Sequence, residues 1–427
     1  MGRIRVVAIA LLLALAFAVA APSSDAGKAT PSLGHPVTVG TDGNEPNIVV
    51  APDGTMYISA LQYLYVSKDG GRTWAQTPPS LYNKDYGKGG LQVASDSSIA
   101  IDPKGRLYFA FDYPYAGTTA VCTSDDAGTT LQCDAAAIPG GTDRMWITAP
   151  TAKQQYLVTN EGLYQTLLFT SADRGQTWTY HQTTTKGLNS NTGDLIRSPK
   201  THQIFQAFTD NASNQTATNN FASGPLGFHI FDGTTGTVSG ERTTPLLGGA
   251  ALPSAGFTSD GTLYIVSDMR TPKGANTGSG KPGVEVVLAR SANAGKTWKK
   301  LPAIPGTTTG TSTFTAIATG APGHVGVIWY QSATPELASS MPAGSTWDVK
   351  WAETTNAYSA HPKWRVQTIE RDVHKGPMCS TAGCTGEARF AGDFISATFD
   401  AHGLPRLTYM SEPTPGSPVV RYAGPSS

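Results

Sequence analysis

The chain of 427 residues carries 31 Lys and Arg against 31 Asp and Glu, a balance that removes the ground for a nucleic-acid partner or a membrane surface held by broad electrostatic attraction. Charged residues make up only 15% of it, against about 25% in an average soluble protein, while 47 Gly and 29 Pro supply many tight turns. Past the leader, no long stretch shows apolar residues at helical spacing, so an all-β chain is predicted.

In chain order, Arg3 and Arg5 precede an apolar run from Val6 to Ala20 that ends in the small-x-small triplet Ala18-Val19-Ala20. Residues 1–20 are therefore predicted to be a signal peptide. The competing reading, a membrane anchor, has a run short of the ~20 residues a span needs. Residues 21–34 are small and polar and expected to be disordered. The mature protein is expected to be secreted, extracellular or periplasmic, with no integral membrane segment.

From residue 35 the chain repeats itself. An apolar strand, a Gly or Pro turn and a strand carrying an aromatic run from Pro46 to Ile58 and again from Ser98 to Phe109. Later copies begin near Met145, Leu195, Ala255, Phe314 and Phe394. Four units continue into an octapeptide of the form Ser-x-Asp-x-Gly-x-Thr-Trp. The copies are Ser67 to Trp74, Ser124 to Leu131, Ser171 to Trp178 and Ser291 to Trp298. The Asp (Asn293 in the last) can fold back onto turn N–H groups, Gly supplies a positive φ, and Trp opens the next strand.

Seven candidate units of about four strands each, spaced by about 50–60 residues, predict radial repetition of four-stranded sheets in one domain over residues 35–427. Pro36 to Gly40 is placed to close the ring beside Val419 to Tyr422. The octapeptides resemble the Asp-box (BNR) repeats of sialidase-like β-propellers. That resemblance implies a β-propeller, with seven blades by this count and six, the sialidase number, as the alternative. It also implies that Asp69, Asp126, Asp173 and Asn293, with Trp74, Trp178 and Trp298, are structural, because those turns face away from the channel mouth. The three Trp are expected to be largely buried.

In such a fold, residues just ahead of each inner strand ring the channel mouth. Here these are Asp42, Glu45, Asp96, Asp143, Arg144, Asp194, Arg389 and Asp393, and returning loops add Asp112, Tyr113, Tyr115, Asp268, Arg270, Tyr330 and Glu412. Glu45, Asp96, Asp143 and Asp393 are candidate catalytic carboxylates, since glycoside hydrolysis needs one carboxyl of raised pKa and one ionised partner. Tyr330 is a candidate nucleophile. Arg144, Arg270 and Arg389 are candidate ligands for a carboxylated sugar. Alternatively these groups pair with one another and merely finish the rim.

The sialidase Arg-Ile-Pro motif is absent: the first inner strand reads Glu45-Pro46-Asn47-Ile48, and the sole Arg-Ile pair, Arg3-Ile4, lies in the leader. The resemblance thus covers the scaffold and little of the catalytic site. Four cysteines after an export signal point to disulfides, Cys122 with Cys133 across a hairpin and Cys379 with Cys384 around a small loop. A zinc site is the weaker alternative because the spacings do not match, so no metal or cofactor is expected. Gly278 to Gly283 fits Gly-x-Gly-x-x-Gly, but no helix follows it. Three functions stay open for a chain expected to be monomeric: a glycan-acting hydrolase, a non-catalytic propeller binding glycan or protein, and a polysaccharide lyase.

Overall fold

The computed structural model describes residues 32–78, 96–113, 118–139, 142–161, 165–181, 190–210, 224–249, 252–271, 283–378, 390–393 and 395–426. They form an all-β propeller. Its strands make antiparallel sheets in chain order: Asn47–Val50, Met56–Ala60, Tyr63–Ser67 and Ala75–Thr77 form the first. Ser97–Ile101 to Gln132–Pro139, Thr142–Thr151 to Thr179–His181, and Ser190–Arg197 to Val238–Gly248 form three more of four strands each. An eight-stranded sheet follows, in which Ser254–Phe257 to Lys299–Lys300 meets Thr311–Thr319 to Arg365–Lys375 through a single parallel pairing, Val284 with Thr311.

The last sheet closes the molecule. Ser396–Phe399, Pro405–Thr414 and Ser417–Ala423 come from the end of the chain, and the fourth strand, Val37–Gly40, comes from its beginning, with Val37 opposite Tyr422. The first strands touch one another in sequence order, and Ser396–Phe399 returns to Asn47–Val50, so they surround a central channel.

Burial explains the strand sequences. Second and third strands lie between two neighbouring sheets, and both of their faces are covered, so they read as nearly continuous apolar runs. Leu107-Tyr108-Phe109-Ala110-Phe111 and Leu263-Tyr264-Ile265-Val266 are at most 2% exposed. Outer strands have one wet face, and Val238–Gly248 alternates accordingly. The core is therefore divided into layers between sheets, such as Phe205, Phe228 and Ile230 against Ile265 and Val287. The first strands are bulged or irregular near the ring, at Asp143/Trp146, Thr192/Leu195 and Thr313/Ala316, where an extra residue bends the strand.

The four octapeptides form one turn. In each, the Ser hydroxyl donates to the Asp or Asn side chain at 2.7 to 2.9 Å and accepts the Gly N–H. The same side chain accepts the Thr N–H, at 2.8 Å for Asn293 and 2.9–3.0 Å for the three Asp. Trp74, Trp178 and Trp298 are half-buried, less than expected, because each covers the edge of a layer rather than entering it. Cys122 and Cys133 are bonded across the hairpin that carries the second turn. Cys379 and Cys384 lie outside the described residues.

Candidate functional site

Four of the candidate residues meet at the start of the first strands. Glu45 accepts the Asp393 N–H through Oε1 at 2.9 Å. Asp393 Oδ2 pairs with Arg144 Nη2 at 3.2 Å, and the Arg144 N–H donates to Asp96 Oδ2 at 2.6 Å. This chain of contacts joins residues from four sheets, so Arg144 ties one side of the channel mouth to the other. Glu45, Asp96 and Asp393 are 2%, 3% and 5% exposed. All three carboxylates thus lie beneath the surface, engaged with the scaffold.

The local backbone is shaped for this. Glu45 and Arg144 both sit in the left-handed region, at φ 54° and 60°, a conformation non-Gly residues hold only when their surroundings over-determine it. Gly392 at φ 67° abuts Glu45 so closely that a Cβ there would lie 2.1 Å from Glu45 Cγ. Any larger residue would push the carboxylate out of its bond with Asp393.

Other candidates are placed differently. Tyr330 is fully buried between sheets, its hydroxyl donating to the Met410 carbonyl and accepting the Met410 N–H, both at 2.9 Å. Burial pushes that hydroxyl far above the ordinary phenol range, and its two bonds cross-link two sheets. Asp112 and Asp268 are buried, and Asp268 takes the Thr313 hydroxyl. Asp42 is exposed, and its backbone carbonyl receives the Tyr65 hydroxyl. The side chains of Asp143, Tyr113 and Arg270, and the whole of Tyr115 and Arg389, lie outside the described residues.

Asp194 stands deeper, in the channel itself. Its Oδ2 accepts the Ser254 hydroxyl at 2.6 Å and the Ala255 N–H at 2.9 Å. Burial raises its pKa to about 6 despite these two bonds. It lines a cavity of about 50 Å³ with Asn47, Trp146, Ser254, Thr315 and Ser396. A few waters fill such a volume, and a sugar ring does not fit. The raised pKa would suit a general acid, but the cavity denies Asp194 a glycan substrate.

A larger hollow on the mouth face, about 460 Å³, lies between Asp372 to Pro377 and Glu412 to Pro415, and takes in Glu412, one of the returning-loop candidates. At its base the His374 Nδ1 meets Glu412 Oε2 at 2.7 Å and Nε2 meets the Pro377 carbonyl at 3.0 Å. His374 also stacks on Phe390. With both ring nitrogens engaged, His374 acts as a clip between two sheets. The two partners are 38 residues apart in sequence.

Among the described residues no group of three or more His, Cys, Asp or Glu is arranged to hold a metal ion, and no helix is long and apolar enough to cross a membrane.

No family model and no curated protein matches the chain. Solved structures do. YCF48 bound to a D1 peptide aligns over 92% of this chain and 97% of its own at TM-score 0.52 and 12% identity. An ulvan lyase of a polysaccharide lyase family, bound to its sugar, aligns over 92% and 94% at TM-score 0.53 and 12% identity. A Trypanosoma rangeli sialidase aligns over 77% of this chain and 53% of its own, at TM-score 0.42 and 12% identity. At such identities the first two likenesses establish the propeller scaffold alone, and the third carries no argument.

Proposed function

We propose that this chain is an exported, seven-bladed Asp-box propeller that binds carbohydrate on its mouth face without cleaving it. The two halves of the eight-stranded sheet are read as separate blades, since one residue pair alone joins them. The observation that carries the reading is the engagement of Glu45, Asp96, Asp393 and Arg144 with one another and with backbone N–H groups. A general acid or nucleophile must reach its substrate, and these carboxylates are buried and occupied. Tyr330, the candidate nucleophile, is occupied as well. The repeats' resemblance to sialidase-like proteins and the scaffold shared with a polysaccharide lyase favour a glycan as ligand. The apolar leader and the Cys122–Cys133 bond fit an oxidising compartment outside the cell.

A glycan array followed by product analysis tests the reading. Binding without products is expected. Saturated products would make the chain a hydrolase, and unsaturated sugars would make it a lyase. Binding of peptides in preference to every glycan would move the ligand class to protein.

A further inference from the structure

The channel cavity has the chemistry of an ion site. Half-buried Asp194 is the one carboxylate that lines it, and among the described residues it makes no ion pair. Both hydrogen bonds to Asp194 fall on Oδ2, so Oδ1 accepts none. Ser254 spends its one hydroxyl proton on Asp194 Oδ2 and accepts the Ile317 N–H at 3.0 Å. It therefore cannot compensate the second oxygen.

Thr315, lining the same cavity, supplies an independent observation. It is 5% exposed, and its hydroxyl is buried with no hydrogen-bond partner. A buried hydroxyl left without a partner costs free energy. Asn47, across the cavity, donates its amide N–H to the Ser97 carbonyl at 2.9 Å, which leaves its side-chain oxygen uncommitted. A carboxylate oxygen, an amide oxygen and a hydroxyl thus line one small hollow, with no nitrogen or sulfur acceptor among the lining residues.

We propose that the channel binds a hard monovalent cation of the sodium or potassium kind, with Asp194 as the anionic ligand and Thr315 and Asn47 as neutral oxygen donors. Oxygen-only donors select hard cations. A calcium site would need 6–8 oxygen ligands, usually with several carboxylates, whereas one carboxylate matches a single positive charge. A carboxylate drawn partly out of water without a counter-charge is costly, and the cation would neutralise it while giving the Thr315 hydroxyl an electrostatic partner. This site is separate from glycan binding and does not rest on it.

Thermal unfolding of the mature protein in choline chloride, sodium chloride, potassium chloride and calcium chloride, at one pH and equal ionic strength, tests the proposal. A ligand bound only by the folded state raises the midpoint in a saturable way, and ~2 °C or more is expected in sodium or potassium relative to choline. Asp194→Asn should abolish the rise. Thr315→Val, which keeps the shape and removes a hydroxyl that bonds to nothing in the protein, should fold and lose part of it. Equal midpoints in choline, sodium and potassium overturn the proposal, and so does an undiminished rise in either variant. A rise in calcium alone overturns the monovalent assignment. Should Asp194→Asn fail to fold, Thr315→Val decides.

Discussion

His229 packs flat on Phe208, ring centroids 4.3 Å apart, and neither of its ring nitrogens has a hydrogen-bond partner. Its cross-strand neighbour Gln206 has both side-chain amide atoms buried and unpartnered as well. Burial lowers the His229 pKa from 6.5 to about 4. The folded protein therefore keeps this imidazole neutral over a range where the unfolded chain takes up a proton. Stability from this group is complete above pH 6.5 and is lost as pH falls toward 4, by up to about 3 kcal/mol. Between pH 7 and pH 4 the denaturant midpoint of the parent should fall relative to that of His229→Leu, which has no imidazole to protonate. Parallel curves would refute the assignment. At the mouth, Gly392→Ala should displace Glu45 and destabilise the fold by roughly 1–3 kcal/mol, since both the φ and the space are unsuitable for a Cβ. An unchanged unfolding midpoint would show that Glu45 relaxes freely.

At the scale of elements, the octapeptide turn explains its own sequence tolerance. Hydrogen bonds hold Asp69, Asp126 and Asp173 below the usual carboxylate range; for Asp69 the Thr73 hydroxyl leads, while for Asp126 and Asp173 an opposing effect of burial is outweighed. Asn293 keeps the acceptor toward the Thr297 N–H and reverses the second bond, donating its amide to the Thr297 hydroxyl at 2.9 Å. Asp173→Asn should accordingly be nearly neutral, whereas Asp173→Ala should cost about 1–2 kcal/mol by leaving turn N–H groups without an acceptor. Equal losses for the two, by chemical denaturation, would mean that charge rather than geometry holds the turn. Reduction of Cys122–Cys133, or Cys122→Ser, frees a hairpin of sequence separation 11 and should cost about 2–3 kcal/mol; a stability unaffected by reductant would contradict this.

These turns were legible because their chemistry is local. Ser, Asp, Gly and Thr bond within five residues of one another, so the pattern survives in sequence. The ring of Glu45, Asp96, Arg144 and Asp393 was legible for another reason: position ahead of an inner strand fixes where a residue lies in the fold. Their mutual pairing was not, because Arg144 and Asp393 are 249 residues apart. The pairing of Tyr330 with the Met410 backbone was not legible, because its partner lies 80 residues away on another sheet. Asn47, Ser254 and Thr315 escaped notice as uncharged polar residues in apolar strands, where only the channel's geometry gives them meaning.

At the scale of the whole molecule, closure concentrates on the last sheet. Glu370 on the preceding outer strand accepts two bonds from the Arg421 guanidinium at 3.1 Å, one from the Tyr409 hydroxyl at 2.7 Å and one from Ser411. Four donors converge on one carboxylate. Glu370→Ala should cost roughly 1–3 kcal/mol by stranding the partly buried Arg421 and should lower the single cooperative midpoint. An unaltered midpoint would show the latch to be ornamental to stability.

The strand that closes the ring also sets how the molecule meets force. Val37 lies opposite Tyr422, Gly34 donates to the Gly424 carbonyl at 2.8 Å, and Ser426 donates to the Ser32 carbonyl at 2.9 Å. The two ends leave an antiparallel pair from the same side, so tension applied between them opens its hydrogen bonds one after another, as a zipper, instead of loading them all in shear. A tether attached at both ends would peel away Val37–Gly40 first and unlock the ring at its seam, whereas the same load applied across two other sheets would meet a closed hoop.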